Sequence, residues 1–106
     1  MQYIVDSEYD TLVATVVSTV TFSRTDSHSF EQLEVINVDG ASEIYFIIAD
    51  GLDNPTNPTV AGDDTRVIPA VRGQSYKMPL RGGSKAVTVE LISAGTPAFG
   101  VIAELV

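Results

Sequence analysis

The run Ile44-Tyr45-Phe46-Ile47-Ile48-Ala49 is the longest apolar stretch in this chain of 106 residues, and it decides the fold. Because every position is apolar, the run predicts a strand with both faces covered, either between two layers or against a second subunit. Segments 30–38 and 66–71 flank it and are its expected antiparallel partners. The first would connect through the hairpin signal Asp39-Gly40, because glycine tolerates a positive φ.

Residues 10–22 alternate with a period of two, and β-branched side chains crowd one face. Both features favour a strand over a helix. The segment is long, since a typical strand has ~5–6 residues. We therefore expect it either to bend near Ser18-Thr19 or to extend beyond the domain and pair with another chain. Residues 1–9, which precede it, are interpreted as an N-terminal arm that could add as a strand to a neighbour, with a short extra strand at Tyr3-Ile4-Val5 as the alternative.

The remaining chain consists of short alternating segments at 75–80, 85–92 and 98–106, separated by turns rich in Gly, Pro and Asp. Turn signals recur every ~8–12 residues, and no segment shows helical periodicity over helical length. The sequence therefore predicts one all-β domain over residues 1–106. We expect an antiparallel β-sandwich of about seven short strands, with no substantial helix.

The chain is acidic, with 14 Asp and Glu residues, 6 Lys and Arg residues and a formal net charge of -8. This charge predicts repulsion from nucleic acids and anionic membrane surfaces, so neither is an expected partner. Five of the six bases follow residue 64, and this asymmetry favours head-to-tail contacts between copies or a partner with complementary charge. Residues 1–8 do not predict a signal peptide. Without cysteine, disulfides and thiolate metal sites are excluded.

No group of residues predicts catalysis. His28 is the one histidine, and Asp26-Ser27-His28 contains the residue types of a hydrolase triad. Adjacent residues cannot easily point at one another in triad order, and no oxyanion motif accompanies them. We interpret His28 as a solvated loop histidine. The sequence predicts that the protein is not an enzyme and has no cofactor.

The connection that follows the central strand is rich in side chains with oxygen atoms. They are Asp50, Asp53, Asn54, Asp63 and Asp64. Such clusters on loops can hold calcium. The spacing matches no EF-hand loop, and Asp and Asn are also ordinary turn formers. No metal ligand is predicted, and calcium binding stays an open alternative.

Two apolar segments are candidates for contacts between subunits. Tyr45 and Phe46 are neighbours on one strand and point to opposite faces, so one is expected in the core and the other at a contact. Tyr3, Ile4 and Val5 lie in the N-terminal arm. We take these five as the predicted interface residues.

Several segments resemble small virion proteins of tailed phages. The matching residues are Asn37–Glu43, Ile44–Gly51, Pro58–Thr65, Arg66–Ala70 and Val87–Gly95. The resemblance covers roughly residues 30–106. It implies a compact β fold, often trimeric, that binds non-covalently where capsid subunits meet, as a head decoration or accessory protein. The implied partners are the major capsid protein or other virion proteins, with the chain made in the host cytoplasm.

Two alternatives stay open beside this interpretation. The protein could be a tail-associated adaptor, or a ligand-binding module such as a carbohydrate-binding domain attached to a virion. Sugar rings stack on aromatic side chains, and the chain has no tryptophan and few aromatic residues. The composition therefore favours a structural role over carbohydrate binding.

Overall fold

The computed structural model of the chain describes residues 4–49, 57–62 and 65–105. The described residues form eight strands and no helix, so none of them belongs to a helix that could cross a membrane. The strands are β1 (Ile4–Thr11), β2 (Ser18–Ser23), β3 (Phe30–Asn37), β4 (Ile44–Ala49), β5 (Arg66–Ile68), β6 (Gln74–Ser84), β7 (Ala86–Ile92) and β8 (Ala98–Leu105).

The strands form two antiparallel sheets of four strands each. Sheet A has the order β1-β8-β3-β6, and sheet B has the order β2-β7-β4-β5. Alternate residues of each strand face the other sheet, so the apolar faces meet in one core. The buried core residues are Leu12, Val20, Phe30, Leu33, Val35, Ile44, Phe46, Ile68, Val87, Val89, Leu91, Phe99, Val101, Ala103 and Leu105. The predicted all-β antiparallel sandwich is confirmed.

The central apolar run forms β4, between β7 and β5 in sheet B. Its predicted pairing with the strand at 66–71 is confirmed, because Ile44 pairs with Ile68. The predicted hairpin with β3 is wrong. β3 lies in sheet A, where β6 and β8 occupy both of its edges, so the Asp39-Gly40 connection crosses between the sheets.

The long alternating segment 10–22 is not one strand. It belongs to β1 in sheet A and to β2 in sheet B, and residues 12–17 carry the chain from one sheet to the other. The bend expected near Ser18-Thr19 therefore lies several residues earlier. Thr15 makes the change of direction with a φ of 60°, and its N–H donates to the carbonyl of Ser93 at 2.8 Å.

The N-terminal segment pairs within its own chain. Residues 4–9, interpreted above as part of an arm, lie in β1 and pair with β8. The ring of Tyr9 lies against Gly100, where an added Cβ would come within 2.3 Å of the Tyr9 Cε1 atom. Because only glycine leaves room for this ring, Gly100 lets the side chain of β1 pack across β8.

Candidate functional site

Four connections meet at one end of the sandwich, which we call the valine end. They are residues 12–17, 38–43, 69–73 and 93–97. Backbone hydrogen bonds join them to each other and to the strand ends, including Leu12 N–H to the Pro97 carbonyl (2.9 Å) and Gly73 N–H to the Asn37 carbonyl (2.8 Å). Four stretches that are distant in sequence therefore make one continuous surface.

The valine end exposes apolar side chains. Val13 is 63% exposed, Val16 is 52% exposed, Val71 is 53% exposed and Val38 is 37% exposed. Half of the eight large hydrophobic residues that the described part of the chain exposes lie on these four connections. A concentration of exposed apolar side chains on a small domain is typical of a protein-protein contact.

Few charges accompany these valines. The four connections contain three charged residues, Asp39, Glu43 and Arg72, in a chain whose net charge is -8. Burying an unpaired charge is costly, whereas burying valine and alanine side chains is favourable. This end can therefore be desolvated against a partner at lower cost than the acidic remainder of the surface.

A buried asparagine holds two of the connections together. Asn37 is fully buried, and its Nδ2 atom donates to the carbonyls of Ser42 (2.8 Å) and Pro69 (3.0 Å). Its Oδ1 atom accepts from the N–H of Gly40 at 3.0 Å. One side chain thus fixes connection 38–43 against connection 69–73.

A buried serine links the other two connections to the same assembly. The Ser93 hydroxyl donates to the Glu43 carbonyl at 2.6 Å and accepts from the Gly95 N–H at 3.2 Å. The Ser93 carbonyl in turn accepts from Thr15 N–H. Because the loops are already fixed by these bonds, a partner that docks here orders little additional chain, and less binding energy is lost to entropy.

The turn that displays Val13 and Val16 is strained. Val16 N–H donates to the Val13 carbonyl at 3.1 Å, and Thr15 has a φ of 60° inside this turn. Positive φ is unfavourable for β-branched residues, and such positions persist only where the surroundings enforce them, often at binding sites. The hydrogen bond from Thr15 N–H to the Ser93 carbonyl fixes this turn, and Val13 and Val16 are held on its outer side.

The opposite end of the sandwich is charged. Arg24 lies between Asp26 (2.7 Å) and Asp6 (3.2 Å), and the Lys85 ammonium donates to the carbonyls of Asp26 and His28. His28 lies in the loop as predicted, but it is half-buried, with Nδ1 3.2 Å from the Asp26 carboxylate. These contacts fix the β2–β3 loop and hold the His28 ring beside the Asp26 carboxylate.

This cluster predicts how stability depends on pH. The hydrogen bond from Arg24 lowers the pKa of Asp26 from 3.8 to about 2. A carboxylate with a lowered folded-state pKa stabilises the fold above its ordinary pKa, and that contribution is lost as pH falls from about 3.8 towards about 2. We expect the urea midpoint of the parent to exceed that of Asp26→Asn at pH 5, with the difference shrinking across this window. A difference that stays constant down to pH 2 would contradict this assignment.

None of the sequence-predicted interface residues belongs to the four connections, although Tyr45 follows connection 38–43 by only two residues. Phe46 is fully buried, as expected for the member of the Tyr45–Phe46 pair that faces the core, so Phe46 is not available for an interface and Tyr45 stays the predicted contact. Tyr45 points outward from sheet B beside Val67 and Ile92. Ile4 and Val5 lie in β1, at the edge of sheet A. Tyr3 lies outside the described residues.

The suggested calcium loop cannot be placed. Its five residues, Asp50, Asp53, Asn54, Asp63 and Asp64, all lie outside the described residues. Within residues 4–49, 57–62 and 65–105, no group of three or more His, Cys, Asp or Glu side chains could hold a metal ion. The arrangement that the structure does show is a surface suited to docking.

Sequence reasoning missed the valine end. Residues 12–17 belong to a segment whose alternation is typical of a strand. In the other connections, no local sequence pattern distinguishes the exposed valines from other turn residues. One signal was available: three of the four connections contain a glycine or a proline, and none carries more than two charges. Comparison with protein-family models and with curated proteins found no match to this chain.

Proposed function

We propose that this protein is a structural component of a tailed-phage particle, a head decoration or accessory protein that binds non-covalently through its valine end. The observation that carries the proposal is the rigid, nearly uncharged surface around Val13, Val16, Val38 and Val71. The resemblance of residues 30–106 to small virion proteins supplies the kind of partner. We expect that partner to be the major capsid protein or another virion protein.

The physical basis of binding is burial of the exposed valines against a matching apolar surface. Each Å² of apolar surface removed from water contributes roughly 25 cal/mol. The hydrogen bonds of Asn37 and Ser93 already hold the turns in place before binding. The free energy gained by burying the valines is therefore not offset by the entropy cost of ordering these turns. A small acidic domain can therefore attach to a particle through one end.

Self-association belongs to the same proposal, with a trimer as the favoured form. The valine end would then bind the particle, leaving another face for contacts between copies. The edge of sheet A offers one, because β1 is its outermost strand and Val5 on this strand is 47% exposed. In this scheme the chain is made in the host cytoplasm and ends in the virion.

The test is co-sedimentation of the purified protein with heads of the phage that encodes it. We expect the parent to sediment with heads and the double variant Val13→Ser, Val71→Ser to bind at least ~10-fold more weakly, since a loss of ~1.4 kcal/mol suffices for this factor. Val67→Ser is the matched control, because Val67 is also about half exposed (47%) but lies on β5.

Two results would contradict the proposal. If the parent stays in the supernatant at every concentration, the protein does not bind heads. If Val67→Ser loses binding while the double variant keeps it, the docking surface is the outer face of sheet B instead. Circular dichroism of each variant would show that the fold is retained.

One observation favours a carbohydrate-binding module as a second candidate. Tyr9 is 57% exposed, and its ring rests on Gly100, so one aromatic face is fixed on the surface of sheet A. Sugars stack on such fixed rings. A glycan array discriminates the two functions: binding that disappears in Tyr9→Ala would support the module, and no bound glycan would leave the virion proposal as the better one.

A further inference from the structure

Arg72 is the one basic side chain at the valine end, and among the described basic side chains it alone has no partner. It is exposed and lies beside Val71 in connection 69–73. The other described basic side chains are engaged: Arg24 with Asp6 and Asp26, Arg66 over the Tyr76 ring, Lys77 near Glu34, and Lys85 on the carbonyls of Asp26 and His28.

The backbone of Arg72 is fixed even though its side chain is unpaired. Gly40 packs so closely that an added Cβ would lie 2.3 Å from the Arg72 nitrogen. The N–H groups of the next two residues also bond, Gly73 to the Asn37 carbonyl at 2.8 Å and Gln74 to the Val71 carbonyl at 3.0 Å. The Arg72 side chain therefore extends from a fixed segment of backbone that lies among exposed valines.

We propose that Arg72 forms an ion pair with a carboxylate on the virion protein that the valine end binds, and this inference rests on the proposed function. A chain with a net charge of -8 has many acids that could have paired this base, yet none of the described ones does. Guanidinium groups bind carboxylates through two parallel hydrogen bonds, and arginine is enriched among residues that dominate binding energy.

The surroundings favour a protein carboxylate over a phosphate. Nucleic acids and anionic lipid surfaces are bound by clusters of bases, because each phosphate contact adds to the attraction. Arg72 is a single base, and Asp39 and Glu43 on the same end repel polyanions. The exposed valines beside Arg72 would contact apolar side chains of the partner. The partner surface that fits is therefore one carboxylate surrounded by apolar side chains.

The experiment measures binding to phage heads at 50 and 500 mM NaCl for the parent, Arg72→Gln and Lys77→Gln. We expect Arg72→Gln to bind at least tenfold more weakly at low salt and to lose most of the salt dependence, since screening weakens ion pairs. Lys77→Gln is the control, because it removes the same charge from an exposed side chain of β6 outside the valine end. It should bind like the parent.

The outcomes separate this inference from the proposed function. If the parent binds heads and Arg72→Gln binds within twofold of it at both salt concentrations, the ion pair is wrong and the docking surface stands. If the parent fails to bind heads, both fail. If light scattering shows that Arg72→Gln disrupts an oligomer while head binding is unchanged, the carboxylate belongs to a second copy, and the inference is overturned in favour of self-association.

Discussion

Gly40→Ala is expected to lower the free energy of unfolding by at least ~3 kcal/mol, because two penalties combine at this residue. Gly40 has a φ of +68°, where an alanine is strained. An added Cβ would also lie 2.3 Å from the Arg72 nitrogen and 2.7 Å from the Val71 carbonyl carbon. These are backbone atoms, so no side-chain rotation relieves the clash, and connections 38–43 and 69–73 must separate.

Gly73→Ala is the matched control. Gly73 has a similar φ of +78°, but no atom lies within 4 Å of an added Cβ. It therefore isolates the cost of the left-handed backbone, roughly 1 kcal/mol. Urea unfolding of both variants and the parent measures the difference. Equal losses for the two variants would show that the contact between Gly40 and Arg72 does not hold the valine end together.

Asn37→Ala is expected to destabilise the fold by ~3 kcal/mol, since it removes three hydrogen bonds and leaves buried groups without partners. The lost bonds join Asn37 to Ser42, Pro69 and Gly40. The variant should also bind phage heads more weakly, because the connections that carry Val38 and Val71 are no longer fixed to each other.

Asn57→Ala is the control for this substitution. Asn57 is exposed, and exposed substitutions away from special contacts usually change stability by less than ~0.5 kcal/mol. Thermal unfolding followed by circular dichroism compares the two variants. A loss in Asn37→Ala no larger than that in Asn57→Ala would mean that the three hydrogen bonds are replaced, and that the valine end is held by other contacts.

Local patterns predicted the strands well and their assignment to sheets less well. Alternation in β7 and β8 and the apolar run of β4 each marked a strand that exists. Alternation records only which side chains share a face, and both sheets of a sandwich share the same core. Segment 10–22 could therefore change sheets at Thr15 without breaking its alternation. Likewise, Asp39-Gly40 has the residue types of a hairpin turn, but it connects strands that lie in different sheets.

The candidate site was less accessible to sequence reasoning than the fold. Its exposed residues come from four separate turns, which only the strand order brings together. The five residues predicted for an interface were chosen for apolar character within strands. That criterion finds core residues such as Phe46 as readily as outward-facing residues such as Tyr45, because neither the neighbouring sheet nor solvent exposure is visible in the pattern.

The most direct test of the central claim uses the absence of cysteine from the chain. Val71→Cys and Val67→Cys each introduce one thiol at a position that is about half exposed in the free protein. Maleimide labelling rates of both variants are measured alone and bound to phage heads. We expect heads to protect Cys at position 71 and to leave position 67 labelled at its free rate. Protection of position 67 with none at position 71 would contradict docking through the valine end.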